Sequence, residues 1–307
     1  MSDIKLFLTT GGVVSEILGS SVGLEKSLQN LIERNLEVSL GVRFLASEFP
    51  TGKTHAGRID TLGLDENNSP VIIEYKRSLN QNVINQGLFY LDWLLDHRAE
   101  FTLLCMRGLG PEIETHIDWT APRLICIAGD FTRYDTHAVS QISRNIELVR
   151  YRRYGDDYMV LELVNSSSGA PEVHPEGIIH EQPTRRPSTE RSVSEYLVRA
   201  STELRDLYQA LEDFTLALGD DVTRKPLKFY IAFRRIKNFA CVEVHPQARK
   251  LLIYLKVNPD SVELVPGFSR DVRKIGHFGT GDLELTLTTP EDLERAKPLI
   301  LSSYEVS

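Results

Sequence analysis

Cysteine is scarce. The 307-residue chain holds three, Cys105, Cys126 and Cys241, odd in number and far apart. That excludes a disulfide framework and a Cys-x-x-Cys zinc pair. The eight histidines show no His-x-x-x-His spacing, which removes the other common zinc signature. Long apolar runs are also missing: none approaches the roughly 20 residues a membrane helix needs. The first 17 residues lack the basic start and clean apolar stretch of a signal peptide. A soluble, cytoplasmic protein with no membrane partner is the expectation.

Positive charge is in deficit as well. The formal net charge is −8, which argues mildly against a nucleic-acid partner, because phosphate contacts need Lys and Arg. Distribution matters more than the sum. Residues 222–250 hold eight Lys or Arg, including Arg234, Arg235 and Lys237, against one acid, Glu243. Apolar residues at 41% and charged residues at 25% place the chain in the globular range. Its length predicts two domains.

Periodicity orders the first of them. Residues 23–35 read as a helix, with Leu24, Leu28, Leu31 and Ile32 at helical spacing. Residues 55–64 and 71–75 read as strands, and the turn-forming 65–70 segment predicts a hairpin between them. Residues 82–96 form an amphipathic helix. Segments 101–106 and 123–128 are apolar strands, 135–143 is helical, and 146–151 and 158–164 are strands. Strands flanked by helices make an α/β fold, a mixed sheet with helices around it, over residues 1–165. Residues 166–192, with Ser166-Ser167-Ser168-Gly169 and four prolines, read as a linker. Residues 193–307 read as an α+β domain: a helix over 193–218, four short strands (229–233, 240–244, 251–255 and 283–287) and a closing helix over 290–303.

One constellation carries chemistry. Gly57-Arg58-Ile59-Asp60 precedes the hairpin and Ile73-Glu74-Tyr75-Lys76 follows it. Alternate residues of a strand share a face, so Glu74 and Lys76 point together, and the hairpin brings Asp60 beside Glu74. Two carboxylates hold a hard cation such as Mg²⁺, which offsets charge on a reacting phosphate and acidifies bound water. A neighbouring lysine orients or deprotonates that water. The Tyr75 backbone carbonyl is a further candidate ligand. A surface hairpin with a solvated charged face is the plainer reading. Against it stands Val71-Ile72-Ile73, which marks a buried strand where unpaired charge is costly.

The order Asp60 … Glu74-x-Lys76 resembles the PD-(D/E)XK nuclease signature, and the Gly-Arg-Ile-Asp form resembles its NucS-like and RecB-like branches. Ile59 stands where the nominal motif has proline. The resemblance covers residues 24–106. It implies a first-helix glutamate completing the metal site, Glu25, with Glu33 as the alternative. It also implies a Gln-x-x-x-Tyr motif, Gln86 and Tyr90, with the glutamine near the catalytic lysine and the tyrosine near substrate. The implied activity is Mg²⁺-dependent DNA endonuclease chemistry, with Mn²⁺ as a substitute, in repair, restriction or phage defence; RNA stays open as a substrate. A homodimer is implied by family analogy alone. Lys53 and Arg58 are candidate phosphate contacts, as are Arg234, Arg235 and Lys237.

Two signals point elsewhere. Thr51-Gly52-Lys53-Thr54 invites a phosphate-loop reading, but Ser47 occupies the first glycine position and a strand follows. The C-terminal part, with Lys237-Asn238-Phe239 and Gly276-His277-Phe278-Gly279-Thr280-Gly281-Asp282, resembles a small uncharacterised domain labelled "predicted transport protein". Its glycine-rich segment reads as a tight turn or as a binding loop. The alternatives to an endonuclease are a silent nucleic-acid-binding protein on a nuclease scaffold, and an interaction module working through the C-terminal domain.

Overall fold

The computed structural model describes residues 4–20, 25–52, 56–76, 83–167 and 192–307. The chain divides into two compact units, Met1–Glu172 and Val173–Ser307. The linker expected at 166–192 lies almost wholly outside the described residues.

Two apolar runs dictate the centre of the first unit. Strands β6 (Pro70–Lys76) and β7 (Arg123–Ala128) pair in parallel, and every residue of them except Lys76 is buried. Strands covered on both faces read as continuous apolar runs, which is what Val71-Ile72-Ile73 and Leu124-Ile125-Cys126-Ile127 are. Strand β5 (Arg58–Asp65) joins β6 through the expected antiparallel hairpin. Asp65 closes the turn, its Oδ1 accepting from the Asn67 and Ser69 N–H groups at 2.8 Å each. Beside β5 runs β4 (Val42–Pro50), which the periodicity does not reveal. With β3 (Gly19–Ser20), β8 (Asn145–Tyr154) and β9 (Tyr158–Ser167) these strands make a seven-stranded mixed sheet. A separate ribbon pairs β1 (Leu6–Thr10) with β2 (Val13–Ile17).

Helices flank the sheet. Helix α1 (Glu25–Arg34) packs on β5 and β6, and α2 (Leu36–Leu40) packs on β4. Helix α3 (Val83–Asp96) lies against β6 and β7 and buries Ile84, Leu91 and Leu94 with Leu62, Ile72, Leu124 and Leu148. Helix α5 is Arg133–Ser140. The segment 101–106, expected as a strand, is instead part of helix α4 (Arg98–Leu109). A short apolar run fits either period. Here Phe101 and Cys105, four apart, are the buried pair, while Leu103 between them is half exposed. Burial pushes the Cys105 thiol up to about 12.

A buried ion triad ties the strands together at the end away from Glu74. Arg123 donates to Glu147 through Nε and Nη2, at 2.8 Å each, and through Nη1 to Asp65 at 3.0 Å. The bidentate fork matches the carboxylate geometry.

In the second unit, six strands form an antiparallel sheet ordered β10-β11-β12-β13-β15-β14. They are β10 (Thr223–Pro226), β11 (Ile231–Arg234), β12 (Asn238–His245), β13 (Lys250–Leu255), β14 (Ser269–Asp271) and β15 (Leu283–Leu287). The single helix expected over 193–218 is two, α6 (Val193–Arg199) and α7 (Thr202–Leu216). The break comes from Ser201, whose hydroxyl caps α7 by accepting from the Leu204 N–H. Helices α7 and α8 (Pro290–Glu305) bury Leu204, Leu211, Leu293 and Ile300 against Phe233, Val242, Ile253 and Leu285. No helix among the described residues is long and apolar enough to cross a membrane.

Substituting Arg123→Met strands two buried carboxylates. We expect it to lower the unfolding free energy by about 3–5 kcal/mol, read as an earlier urea transition; a loss below about 1 kcal/mol would mean the triad behaves as ordinary surface charge.

Candidate active site

The ladder between β5 and β6 runs from Leu64–Pro70 to Thr61–Ile73. One step further, side chains replace it. The Asp60 N–H donates to Glu74 Oε1 at 3.2 Å, and the Tyr75 N–H donates to Asp60 Oδ2 at 3.0 Å. Each carboxylate is thus oriented by the other strand's backbone. Charge-assisted bonds of this kind are stronger than neutral ones, and they keep a buried carboxylate tolerable. Glu74 is 0% exposed, while Asp60 is partly open to solvent. Lys76, half-buried at the end of β6, shares the Glu74 face by alternation.

The surroundings hold this pair in place. Gln29 of α1, 3% exposed, donates to the Asp60 carbonyl at 2.8 Å and to Glu33 Oε1 at 3.0 Å. Glu33 also accepts from the Thr61 hydroxyl at 2.6 Å. By alternation Thr61 and Tyr75 face away from Asp60 and Glu74, so Glu33 serves the opposite side of the sheet. Burial, above all, raises the Tyr75 phenol well beyond its ordinary value, so it stays neutral. On α3, Gln86 donates to the Tyr90 hydroxyl at 3.2 Å, and that hydroxyl accepts from the Arg58 N–H at 3.1 Å. Tyr90 thus fastens the start of β5. Gly57 is required there: a Cβ would stand 2.6 Å from Tyr90 Cε1. Cys126 lies beside Glu74 in the ladder. Burial first, then the Glu74 and Asp135 charges, raises its thiol far above the ordinary range. A protonated thiol is neither nucleophile nor metal ligand.

Other expected residues sit apart from this pair. Glu25 opens α1, but its side chain lies outside the described residues, as does that of Lys53. Among the described side chains, no group of three His, Cys, Asp or Glu is arranged to hold a metal. Arg58 is exposed and ion-paired with Glu48 of β4. In the second unit Arg234 turns inward instead of facing solvent, donating to the Arg235 carbonyl at 3.4 Å and the Ile236 carbonyl at 2.8 Å. Arg235 pairs with Asp221 at 2.7 Å, and Lys237 is half-buried. The basic stretch 222–250 is therefore partly offset by acids from elsewhere in the unit, Glu212 on Arg224 included. The glycine-rich segment 276–282 packs on the sheet: Gly279 and Gly281 take φ of +83° and +147°, and His277 stacks on Tyr254 at 4.2 Å.

Sequence reasoning did not single out Gln29 or Glu48. A polar residue on an amphipathic helix face and an acid in an unrecognised strand carried no motif.

Comparisons with known proteins give the following. Residues 193–307 match a family described as a domain of unknown function, DUF5655. Over 304 residues the chain is 28% identical to an uncharacterized protein of Haemophilus influenzae, covering 97% of this chain and 98% of that one. Two solved structures resemble it over 42% of its length: a repair endonuclease from Pyrococcus abyssi, with 19% identity and a TM-score of 0.28, and an EndoMS-dsDNA2 complex, with 18% identity and a TM-score of 0.24. The chain spans about half the length of each, 47% and 46%.

Replacing Tyr90 by Phe removes the acceptor of the Arg58 N–H. The expected cost is about 1 kcal/mol in urea unfolding; unchanged stability would show that this hydroxyl does not fasten β5.

Proposed function

We propose that the first unit is a divalent-metal-dependent nuclease that hydrolyses phosphodiester bonds in DNA. The observation that carries this reading is the interlocked Asp60–Glu74 pair, with Lys76 on the same strand face, at the point where β5 and β6 part. The donor set suits a hard cation: carboxylate oxygens are what Mg²⁺ and Mn²⁺ take. Asp60, Glu74 and the Tyr75 backbone carbonyl would hold the ion, with Glu25 as the further carboxylate that the PD-(D/E)XK resemblance implies. Such an ion supplies charge neutralisation at the phosphate and a more acidic bound water.

The chain's own residues do the rest. Lys76 orients the attacking water. Glu74, fully buried and held through Oε1, keeps its place without rotamer search. Gln86 and Tyr90 position the first residues of β5 rather than reacting. Water is the nucleophile, so no covalent enzyme intermediate forms. The alternative, a nucleic-acid-binding protein without turnover, separates from this one by cleavage alone.

With supercoiled plasmid and single-stranded DNA in Mg²⁺ or Mn²⁺, the full chain should nick or degrade substrate. Asp60→Asn, which keeps an acceptor for the Tyr75 N–H, and Lys76→Ala should each lower the rate by at least about a hundredfold with an unchanged thermal midpoint. Cleavage that persists in both variants would rule out this site as the source of activity.

A further inference from the structure

Beside the Asp60–Glu74 pair sits a second charged group that the proposed chemistry does not use. Glu48 on β4 accepts from Lys26 Nζ at 2.5 Å and is ion-paired with Arg58 Nε. The two cations come from different elements, α1 and the start of β5. Both are wide open, with side chains 53% and 67% exposed, while Glu48 between them is 27% exposed.

Three features set this group apart from an ordinary surface ion pair. First, both cations are tied to the candidate active site by short, independent routes. Arg58 lies two residues before Asp60 on β5. Lys26 lies one helical turn before Gln29 and donates to Gln29 Oε1 at 3.1 Å; Gln29 in turn donates to the Asp60 carbonyl. Second, Glu48 takes a left-handed φ of +53° inside a strand. Its neighbours keep register, Ser47 with Thr61 and Phe49 with Ile59, so the inversion is confined to this residue. A residue with a Cβ adopts that conformation at an energetic cost, and exposed ion pairs return little. Third, a carboxylate spanning an ammonium and a guanidinium has the acceptor geometry of a phosphate oxygen pair. The Lys26 hydrogen bond, then the Lys26 and Arg58 charges, keep the Glu48 carboxyl below its ordinary range.

We propose that Lys26 and Arg58 form a subsite for the nucleic-acid phosphate backbone next to the Asp60–Glu74 pair, and that Glu48 occupies it as an internal stand-in until a phosphate displaces the carboxylate. This rests on the nuclease reading for the identity of the ligand. Displacement exchanges one acid for another on the same two cations and returns Glu48 to water. The carboxylate lowers the affinity of the empty protein for polyanions and favours ligands that offer phosphate to both cations at once.

The test is binding of a fluorescein-labelled DNA duplex, and of its single strand, to the full chain in EDTA, read by anisotropy across a salt series. Glu48→Gln should tighten binding about three- to tenfold. Arg58→Ala and Lys26→Ala should weaken it and lower the salt slope by about one each. The double variant Glu48→Gln with Arg58→Ala should lose the gain. Glu48→Gly, which suits the left-handed φ, should also tighten binding and guards against a folding defect in the glutamine variant. Unchanged affinity in both Glu48 variants, or a gain that survives Arg58→Ala, would overturn the proposal. Metal-free binding separates the two readings: the expected affinities with no cleavage in Mg²⁺ would sink the nuclease and keep the subsite. Cleavage that needs Asp60, with indifferent Glu48 variants, would do the reverse.

Discussion

Two strands that part must still satisfy the N–H groups along their facing edges, because a buried unpaired donor costs about as much as several surface contacts return. At the end of the β5–β6 ladder those donors are the Asp60 and Tyr75 N–H groups, and carboxylates on the opposing strand receive them. That exchange explains why Glu74 can sit fully buried in the middle of an apolar strand. It also explains the scaffolding around it. Gln29 anchors the Asp60 carbonyl from one side of the sheet, and Tyr90 anchors the Arg58 N–H from the other. The opening between the strands is held from both faces.

The same sheet keeps its structural and its chemical charges at opposite ends. Asp65, Arg123 and Glu147 neutralise one another in the interior. Asp60 and Glu74 meet where the β5–β6 ladder stops, with Lys76 at the end of β6. A closed triad with bidentate geometry satisfies itself and reads as stability. Carboxylates oriented by backbone donors, one of them partly open to solvent, read as a site.

Much of this was legible in the sequence. Period-two alternation through 74–76 put Glu74 and Lys76 on one face of β6, and the Asp65-to-Ser69 turn chemistry set the hairpin that brings Asp60 to Glu74. What escaped has physical reasons. Phe101–Cys105 fits a strand or a helix at so short a length, and only the burial of residues four apart decides. β4 alternates too weakly to declare itself, since it lies at a sheet edge and is mostly half-buried. Glu48 and Gln29 matter through neighbours distant in the chain. Arg234 illustrates the limit of charge counting: a basic run says nothing about side chains turned inward onto carbonyls. In the second unit the glycine-rich segment packs on the sheet through the His277–Tyr254 stack, as a tight turn does.

The central claim is that Asp60 and Glu74 together make a hard-cation site, and metal binding tests it before any substrate is chosen. Calorimetric titration of Mn²⁺ into the full chain should show saturable binding. Glu74→Gln, nearly isosteric but unable to offer a charged oxygen, should weaken that binding at least about tenfold with the unfolding midpoint preserved. Equal Mn²⁺ affinity in the two proteins would contradict the account.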